Sequence, residues 1–174
     1  MVRRSLHTER LLLRPSSGTD ASRAFEIRSD WEVARMLSMA AYPPVQSDVA
    51  AWFDEHAEEW QTGRAYRFAI DHQARMIGLV DLDAVADGVA TLGYWLERSA
   101  WGQGFALEAS QAVLGFALDD LKVQTVRAGH AADNPASGRI LTKLGFQLAG
   151  KAWLHSKPRA AAVEQWRYVL DRRP

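Results

Sequence analysis

The most telling absence in this chain of 174 residues is cysteine, which does not occur at all. Its absence excludes disulfides, thiolate nucleophiles and cysteine metal ligands, and it leaves the redox state of the compartment open. The five histidines are scattered, and no two of them stand four residues apart as a helical metal site requires. We therefore predict that the protein holds no metal.

Long apolar runs and an excess of one charge are also missing. No apolar run approaches the ~20 residues that span a bilayer, and residues 1–7 carry charges without the apolar core of a signal peptide. Lys and Arg number 21, as do Asp and Glu, whereas nucleic-acid binders usually have a basic excess. These absences predict a soluble, cytoplasmic protein that binds neither membranes nor nucleic acids.

What the chain does have is a regular succession of strand and helix patterns within the usual length of one domain. Strands are predicted at 10–16, 66–71, 76–85, 90–97, 123–131, 146–153 and 163–170. Helices are predicted at 20–29, from a cap at Ser47 or Asp48 to Gly63, at 105–121, and from Pro135 to about Leu144. Residues 31–45 look irregular. The short links between 66 and 97 predict an antiparallel meander, so we expect a mixed sheet with helices packed on it.

The most informative stretch is a glycine-broken turn between a strand and a helix, with Gly102 and Gly104 in the turn. Glycines allow close approach of a ligand to the backbone, and the first N–H groups of a helix have no partner inside it. The same turn is the positive end of the helix dipole, which suits phosphate groups. The turn therefore predicts that a phosphorylated cofactor is held by main-chain groups. A dinucleotide fingerprint is excluded because its third glycine would fall at Leu107.

Three motifs occur in order along this pattern of elements. They are Gly93-Tyr94-Trp95-Leu96, Trp101-Gly102-Gln103-Gly104-Phe105-Ala106 and Asn134-Pro135-Ala136-Ser137-Gly138-Arg139-Ile140-Leu141-Thr142-Lys143-Leu144-Gly145-Phe146. Together they resemble the GNAT superfamily of N-acetyltransferases, and more narrowly its RimJ/RimL-like branch. The resemblance implies an α/β (mixed α+β) acyl-CoA N-acyltransferase fold. It also implies a mostly antiparallel seven-stranded sheet, about four helices and one domain at residues 8–172.

The resemblance also implies a cofactor, acetyl-coenzyme A, which acts as co-substrate. The pyrophosphate would be held by the main-chain N–H groups of Gly102, Gln103, Gly104, Phe105 and Ala106. Trp95 and Leu96 would bond the pantetheine arm and the acetyl group through their main chain, and Asn134 would contact the pantetheine. Ser137 matches a serine that lies near the thioester sulfur in this branch.

Two positions depart from the wider family. Trp101 stands where many members have an Arg or Gln at the start of the pyrophosphate loop. Leu141 stands where many members have a tyrosine that serves as general acid. Both departures fit the RimJ/RimL-like branch, and the second one argues against protonation by a tyrosine at that position.

Acetyl transfer needs a neutral amine, and alkylamines are mostly protonated near neutral pH. We predict that Asp81, Asp83 or His130 acts as general base: the two carboxylates share one side of an apolar strand, and an imidazole titrates in the right range. Ser137 is the candidate for stabilising the departing thiolate, with capping of its helix as the alternative role. Glu108, in the first turn of a helix, is interpreted as structural.

These residues predict an N-acetyltransferase that moves an acetyl group to a primary amine by direct attack in a ternary complex. The acceptor could be a protein N-terminal amine, an amino acid, a polyamine or an amino-sugar. Its pocket should form from residues 31–60 and nearby strand ends. A homodimer is possible, as is common in the family. The alternative function is a non-catalytic acyl-CoA sensor or partner protein, and Leu141 is the feature in its favour.

Overall fold

The fold follows the predicted order of elements in a computed structural model that describes residues 2–172. The strands are β1 (Leu6–His7), β2 (Leu12–Pro15), β3 (Tyr66–His72), β4 (Arg75–Ala86), β5 (Val89–Leu96), β6 (Thr125–Ala131), β7 (Gln147–Ser156) and β8 (Ala161–Asp171). The helices are α1 (Ala21–Arg28), α2 (Trp31–Ala34), α3 (Gln46–Thr62), α4 (Phe105–Gly115) and α5 (Pro135–Lys143), and a π-helical turn at Phe116–Asp120 extends α4. Across residues 2–172 there are thus eight strands, where the resemblance implied seven. The extra elements β1 and α2 are too short to produce a periodic pattern.

Two helix boundaries differ from the prediction. Helix α3 begins at Gln46, before either predicted cap, and Val45 occupies its N-cap position. Its end is as expected, because Gly63 adopts a left-handed conformation with φ of 72°. The helix predicted to run unbroken from 105 to 121 leaves α-geometry after Gly115.

The sheet opens between β5 and β6. Its order is β1-β2-β3-β4-β5-β6-β8-β7, and the neighbours are antiparallel except β5 and β6. That parallel pairing covers only Val89 to Thr91 against Thr125 to Arg127. Beyond it, β5 continues along β4 and β6 continues along β8. The two middle strands therefore diverge and leave a gap in the sheet.

Helices cover both faces of the sheet. On one face, Val49 and Phe53 of α3 and Ala24 of α1 pack against Leu79 of β4. On the other face, α4 packs its buried side against β4 and β5 and contacts α5. Side chains alternate between faces along a strand, so neighbouring residues of β4 and β5 meet different helices. No helix within residues 2–172 has the length and apolar character to cross a membrane.

Candidate active site

The glycine turn has the geometry that phosphate binding needs. Gly102 and Gly104 have φ of 74° and 82°, and Gly104 is the N-cap residue of α4. No side chain between residues 2 and 172 caps the first turn of this helix, so its N–H groups are available to a ligand. A Cβ built on Gly102 would meet nothing within 4 Å in the described part of the chain. The turn is therefore an open main-chain cradle at the positive end of α4.

An arginine that the sequence analysis did not single out holds this turn from behind. Arg10 Nη1 donates to the Gln103 carbonyl over 2.9 Å, and its Nε donates to a Glu108 carboxylate oxygen over 2.7 Å. The Arg10 guanidinium also lies 4.6 Å from the centre of the Phe105 ring. Burial opposes ionisation of Glu108, but hydrogen bonds from Thr8 and Arg10 outweigh it and lower the pKa of that carboxyl. Glu108 is thus a charged anchor for Arg10.

The gap between β5 and β6 forms a cleft of about 560 Å³ that reaches the glycine turn. Of the predicted site residues, the cleft wall includes Trp95, Leu96, Gly102, Gly104, Phe105, Ala106, His130, Asn134 and Ser137. Gln103 stands apart, since its side-chain amide donates to the Ser99 carbonyl over 2.9 Å. Asp81 and Asp83 lie elsewhere and are described below. The divergence of two strands thus gathers residues from distant parts of the sequence.

The main-chain groups that border the cleft belong to alternate residues of β5. Glu97 N donates to Ile77 O over 2.7 Å across the β4–β5 ladder. Because antiparallel bonding alternates, the main-chain groups of Trp95 point to β4, and those of Tyr94 and Leu96 point toward the gap. Trp101 takes up one of them, since its indole Nε1 donates to Leu96 O over 3.0 Å. The N–H of Leu96 and both groups of Tyr94 therefore face the open side.

Helix α5 places a serine hydroxyl in the cleft wall. Asn134 is the N-cap residue, and its side-chain oxygen accepts from the Ser137 N–H over 3.3 Å. Pro135 occupies the first turn, where its missing N–H costs nothing. The Ser137 hydroxyl lies 2.6 Å from the hydroxyl of Tyr94, across the gap on β5. The cap role thus belongs to Asn134, and the Ser137 hydroxyl faces a second hydroxyl.

Tyr94 is a site residue that sequence reasoning missed as a side chain. It is half-buried in the cleft wall, and burial raises its pKa to about 12, so the phenol stays protonated at neutral pH. The expected general-acid position, Leu141, is fully buried in the core. A phenol therefore stands at the cleft, but it comes from β5 and not from α5.

His130 lies in the cleft wall beneath α5. Its Nδ1 lies 2.8 Å from the Ala131 carbonyl, so this nitrogen donates and the neutral ring has its lone pair on Nε2. The Tyr168 hydroxyl is 3.4 Å from Nε2. A Cβ on Gly138 would approach Nε2 to 2.7 Å, which shows how closely α5 packs on the ring. The ring is therefore buried and fixed between β6, β8 and α5.

Asp81 and Asp83 face α3, on the other side of the sheet from Ser137. Arg67 is the centre of their surroundings: its Nη1 donates to Asp81 over 2.7 Å and its Nη2 to Asp83 over 3.3 Å. Glu59 of α3 accepts from Arg67 Nε and Nη2 over 2.6 and 2.9 Å. Burial raises the pKa of Asp81 to about 6; Arg67 opposes the rise, and the charges of Asp83 and Glu59 add to it. Three carboxylates thus share one buried guanidinium.

The whole arrangement can now be compared with known proteins. Residues 10–147 match the family model of the acetyltransferase (GNAT) domain. The chain belongs to the GNAT acetyltransferases. It is 27% identical over 97% of both chains to the uncharacterized N-acetyltransferase p20 of Bacillus licheniformis. It is 30% identical to the uncharacterized N-acetyltransferase YoaA of Bacillus subtilis, over 83% of this chain and 84% of that one. The protein is therefore an N-acetyltransferase.

A solved structure has the same fold. RimL, the ribosomal L7/L12 alpha-N-protein acetyltransferase in complex with coenzyme A, superposes with a TM-score of 0.85 at 20% identity, over 97% of this chain and 98% of that one. This likeness, together with the family match, confirms the predicted fold class and the RimJ/RimL-like resemblance. In this acetyltransferase the open cradle at Gly102, the uncapped helix and the cleft fit a diphosphate followed by a long thiol arm. Among residues 2–172 no group of three or more His, Asp or Glu is placed to hold a metal ion.

Proposed function

We propose that residues 8–172 form one catalytic domain that uses acetyl-coenzyme A to acetylate a primary amine in a ternary complex. The observation that carries the proposal is the cleft between β5 and β6, with uncapped helix N–H groups at one end and the Ser137 hydroxyl in its wall. Its shape suits a ligand with a diphosphate at one end and a reactive thioester further in.

The cofactor would be held mainly by main chain. The N–H groups of the Gly102–Ala106 turn would take the pyrophosphate, and Arg10 behind the turn offsets the nearby charge of Glu108. The open main-chain groups of Tyr94 and Leu96 would bond the pantetheine arm, with Asn134 on the facing helix. The register thus supports Tyr94 beside Leu96 in this role, while Trp95 contributes the adjoining wall.

Direct transfer needs no covalent acetyl-enzyme, and the chain has no cysteine to form a thioester. The amine lone pair forms the new N–C bond at the acetyl carbon, and the C–S bond breaks with its electron pair left on sulfur. The amine proton leaves to a base, and Ser137 would donate a hydrogen bond to the sulfur as it becomes a thiolate. Products are the acetamide and coenzyme A.

Among the three predicted bases, His130 has the placement that supports the role. It lines the cleft, and its Nδ1 contact with the Ala131 carbonyl leaves Nε2 as the proton acceptor. Asp81 and Asp83 would act only if the amine reached the α3 face, where Arg67 already binds both carboxylates. We propose His130 as the base, reached through a water because the ring is buried.

The acceptor we propose is the α-amine of a peptide. Past the thioester position the cleft continues to Val33, Met36 and Leu37, a wall of apolar side chains that can contact a peptide's first residues. The similar protein RimL is described as an alpha-N-protein acetyltransferase, which supports the same class of acceptor here.

The test has two steps. Titration calorimetry with acetyl-coenzyme A should show saturable binding, and lack of binding would contradict the proposal at its base. Release of coenzyme A thiol is then measured with peptides, amino acids, polyamines and aminoglycosides; a protein without cysteine adds no background thiol. Release should be fastest with peptides and should vanish when the same peptide has a blocked N-terminus. Binding without release for any amine would favour the acyl-CoA sensor.

A further inference from the structure

We propose that Tyr94 is a positioning residue for acetyl transfer: its phenol donates to the Ser137 hydroxyl and so directs the Ser137 proton toward the departing sulfur. This inference rests on the proposed function, in which Ser137 faces the thioester. The observation behind it is the 2.6 Å separation of the two hydroxyl oxygens across the gap between β5 and α5.

The hydrogen-bonding capacity of the pair favours one direction. Each hydroxyl has one proton, and the two can share only one hydrogen bond. If Ser137 donated to Tyr94, no proton would remain for the sulfur, and the phenol proton would have only the Ser137 carbonyl, 3.4 Å from the Tyr94 oxygen. If Tyr94 donates to Ser137, the bond is short and the Ser137 proton is left for the ligand. The second arrangement satisfies both groups better once a thioester is present.

The environment keeps Tyr94 a donor. It is held in the protonated form by burial, which raises its pKa to about 12. A coenzyme A thiol ionises near the ordinary value of a thiol, ~8.5, so net proton transfer from Tyr94 to the thiolate would be unfavourable. The pair therefore acts by hydrogen bonding: the C–S bond breaks, sulfur keeps the electron pair, and two hydroxyls in series stabilise its charge.

This arrangement also accounts for Leu141. A tyrosine one turn beyond Ser137 is unnecessary when a phenol reaches the serine from the opposite strand. Leu141 is fully buried and contributes to the core, so the position is committed to packing. The phenol and the serine are 43 residues apart in sequence and meet only because β5 and β6 diverge.

The experiment measures the thiol pKa of bound coenzyme A, which requires no knowledge of the acceptor. With enzyme in excess, thiolate formation is followed against pH by its ultraviolet absorbance and, independently, by iodoacetamide alkylation. The protein has no cysteine, so the reactive thiol belongs to the ligand. Tyr94→Phe, Ser137→Ala and the double variant are compared with Tyr66→Phe, a buried tyrosine of the core. His130, Asp133, Arg139 and Lys143 of the cleft wall are unchanged in all of them.

We expect the bound thiol pKa to rise by roughly half to one pH unit in Tyr94→Phe, the effect of one lost hydrogen bond. Ser137→Ala should raise it at least as far, the double variant should match Ser137→Ala, and Tyr66→Phe should match the wild type. The affinity for coenzyme A should not change in Tyr94→Phe. Once an acceptor is known, kcat should fall roughly two- to ten-fold with KM for acetyl-coenzyme A unchanged.

Two results would overturn the inference while the proposed function stands. The first is a Tyr94→Phe variant that binds coenzyme A with the wild-type thiol pKa. The second is a double variant whose thiol pKa lies well above that of Ser137→Ala, since Tyr94 would then act on the sulfur without Ser137. A wild-type protein that does not bind coenzyme A at all would instead contradict the proposed function.

Discussion

Two consecutive residues of β5 face two polar regions of opposite character. Gly93 faces Asp81, whose Oδ1 would lie 2.5 Å from a Cβ at Gly93, and Tyr94 faces Ser137 across the cleft. On the first side, all three nitrogens of the Arg67 guanidinium contact carboxylates. On the second side, neutral hydroxyls and uncapped N–H groups retain bonding capacity. The comparison teaches that charge alone does not mark a site; hydrogen-bonding capacity left open toward a cavity does.

The largest effect should come from breaking the saturated region. Arg67→Ala leaves Glu59, Asp81 and Asp83 close together without their shared cation, and it also removes the contact of Arg67 with the Trp52 ring. We expect the free energy of unfolding to fall by about 3–5 kcal/mol, as for other broken buried pairs. Urea denaturation measures it.

Arg64→Ala is the matched control. Arg64 pairs with Glu58 on the surface, and both side chains are mostly exposed. Its loss should cost less than about 1 kcal/mol. Similar losses for both variants would show that the Arg67 cluster has no special role in stability.

The next largest effect should come from filling the open region. Gly104→Val adds a branched side chain at a φ of 82°, where its Cβ would lie 3.3 Å from Arg10 Nη2, and it crowds the N–H groups of the turn. We expect the Kd for acetyl-coenzyme A to rise about a hundred-fold or more, equivalent to about 2.7 kcal/mol. Titration calorimetry measures it, with circular dichroism to verify folding.

Gly115→Ala tests whether any substitution of a glycine in this region has such an effect. Gly115 is the last residue of the same α4, and no described atom lies within 4 Å of an added Cβ. The variant should bind acetyl-coenzyme A as the wild type does and should be slightly more stable. Wild-type binding by Gly104→Val would refute the main-chain cradle.

The smallest of the three effects depends on pH. The pKa of Asp81 is about 6 in the fold against an ordinary value of 3.8, so the folded state holds this proton more tightly than the unfolded chain does. The contribution of Asp81 to stability is therefore fully present below about pH 4 and is lost as pH rises through 6. Asp81→Asn cannot ionise. The unfolding free energy of the wild type relative to Asp81→Asn should fall by about 1–2 kcal/mol across that window, measured by urea denaturation. A constant difference would rule out the raised pKa.

Sequence patterns carried much of this fold because local physics governs those parts. The helical spacing of Val49, Phe53, His56 and Trp60 predicts α3, and all four are buried. Glycine conformations predict the cofactor turn, whose geometry depends on Gly102 and Gly104 alone. By contrast, β1 and α2 are set by pairing and packing with distant segments, and so they leave no periodic signal.

The site shows the same division. Strand parity predicted that Asp81 and Asp83 share a face, but not that α3 would bring Glu59 beside them and Arg67 would bind all three. Tyr94 was visible only as part of a motif, because nothing near it in sequence indicates Ser137 as its partner. Arg10 is 98 residues from Glu108, and no local pattern links them.

By itself, the amino-acid sequence determined the family, the order of elements and the glycine turn, because these depend on residue type, short spacing and backbone conformation. The tertiary structure alone decided which polar groups are neutralised and which remain open to a ligand. That decision depends on where β5 and β6 separate after Thr91, since the divergence brings Tyr94 to Ser137 and leaves main-chain groups without a strand partner.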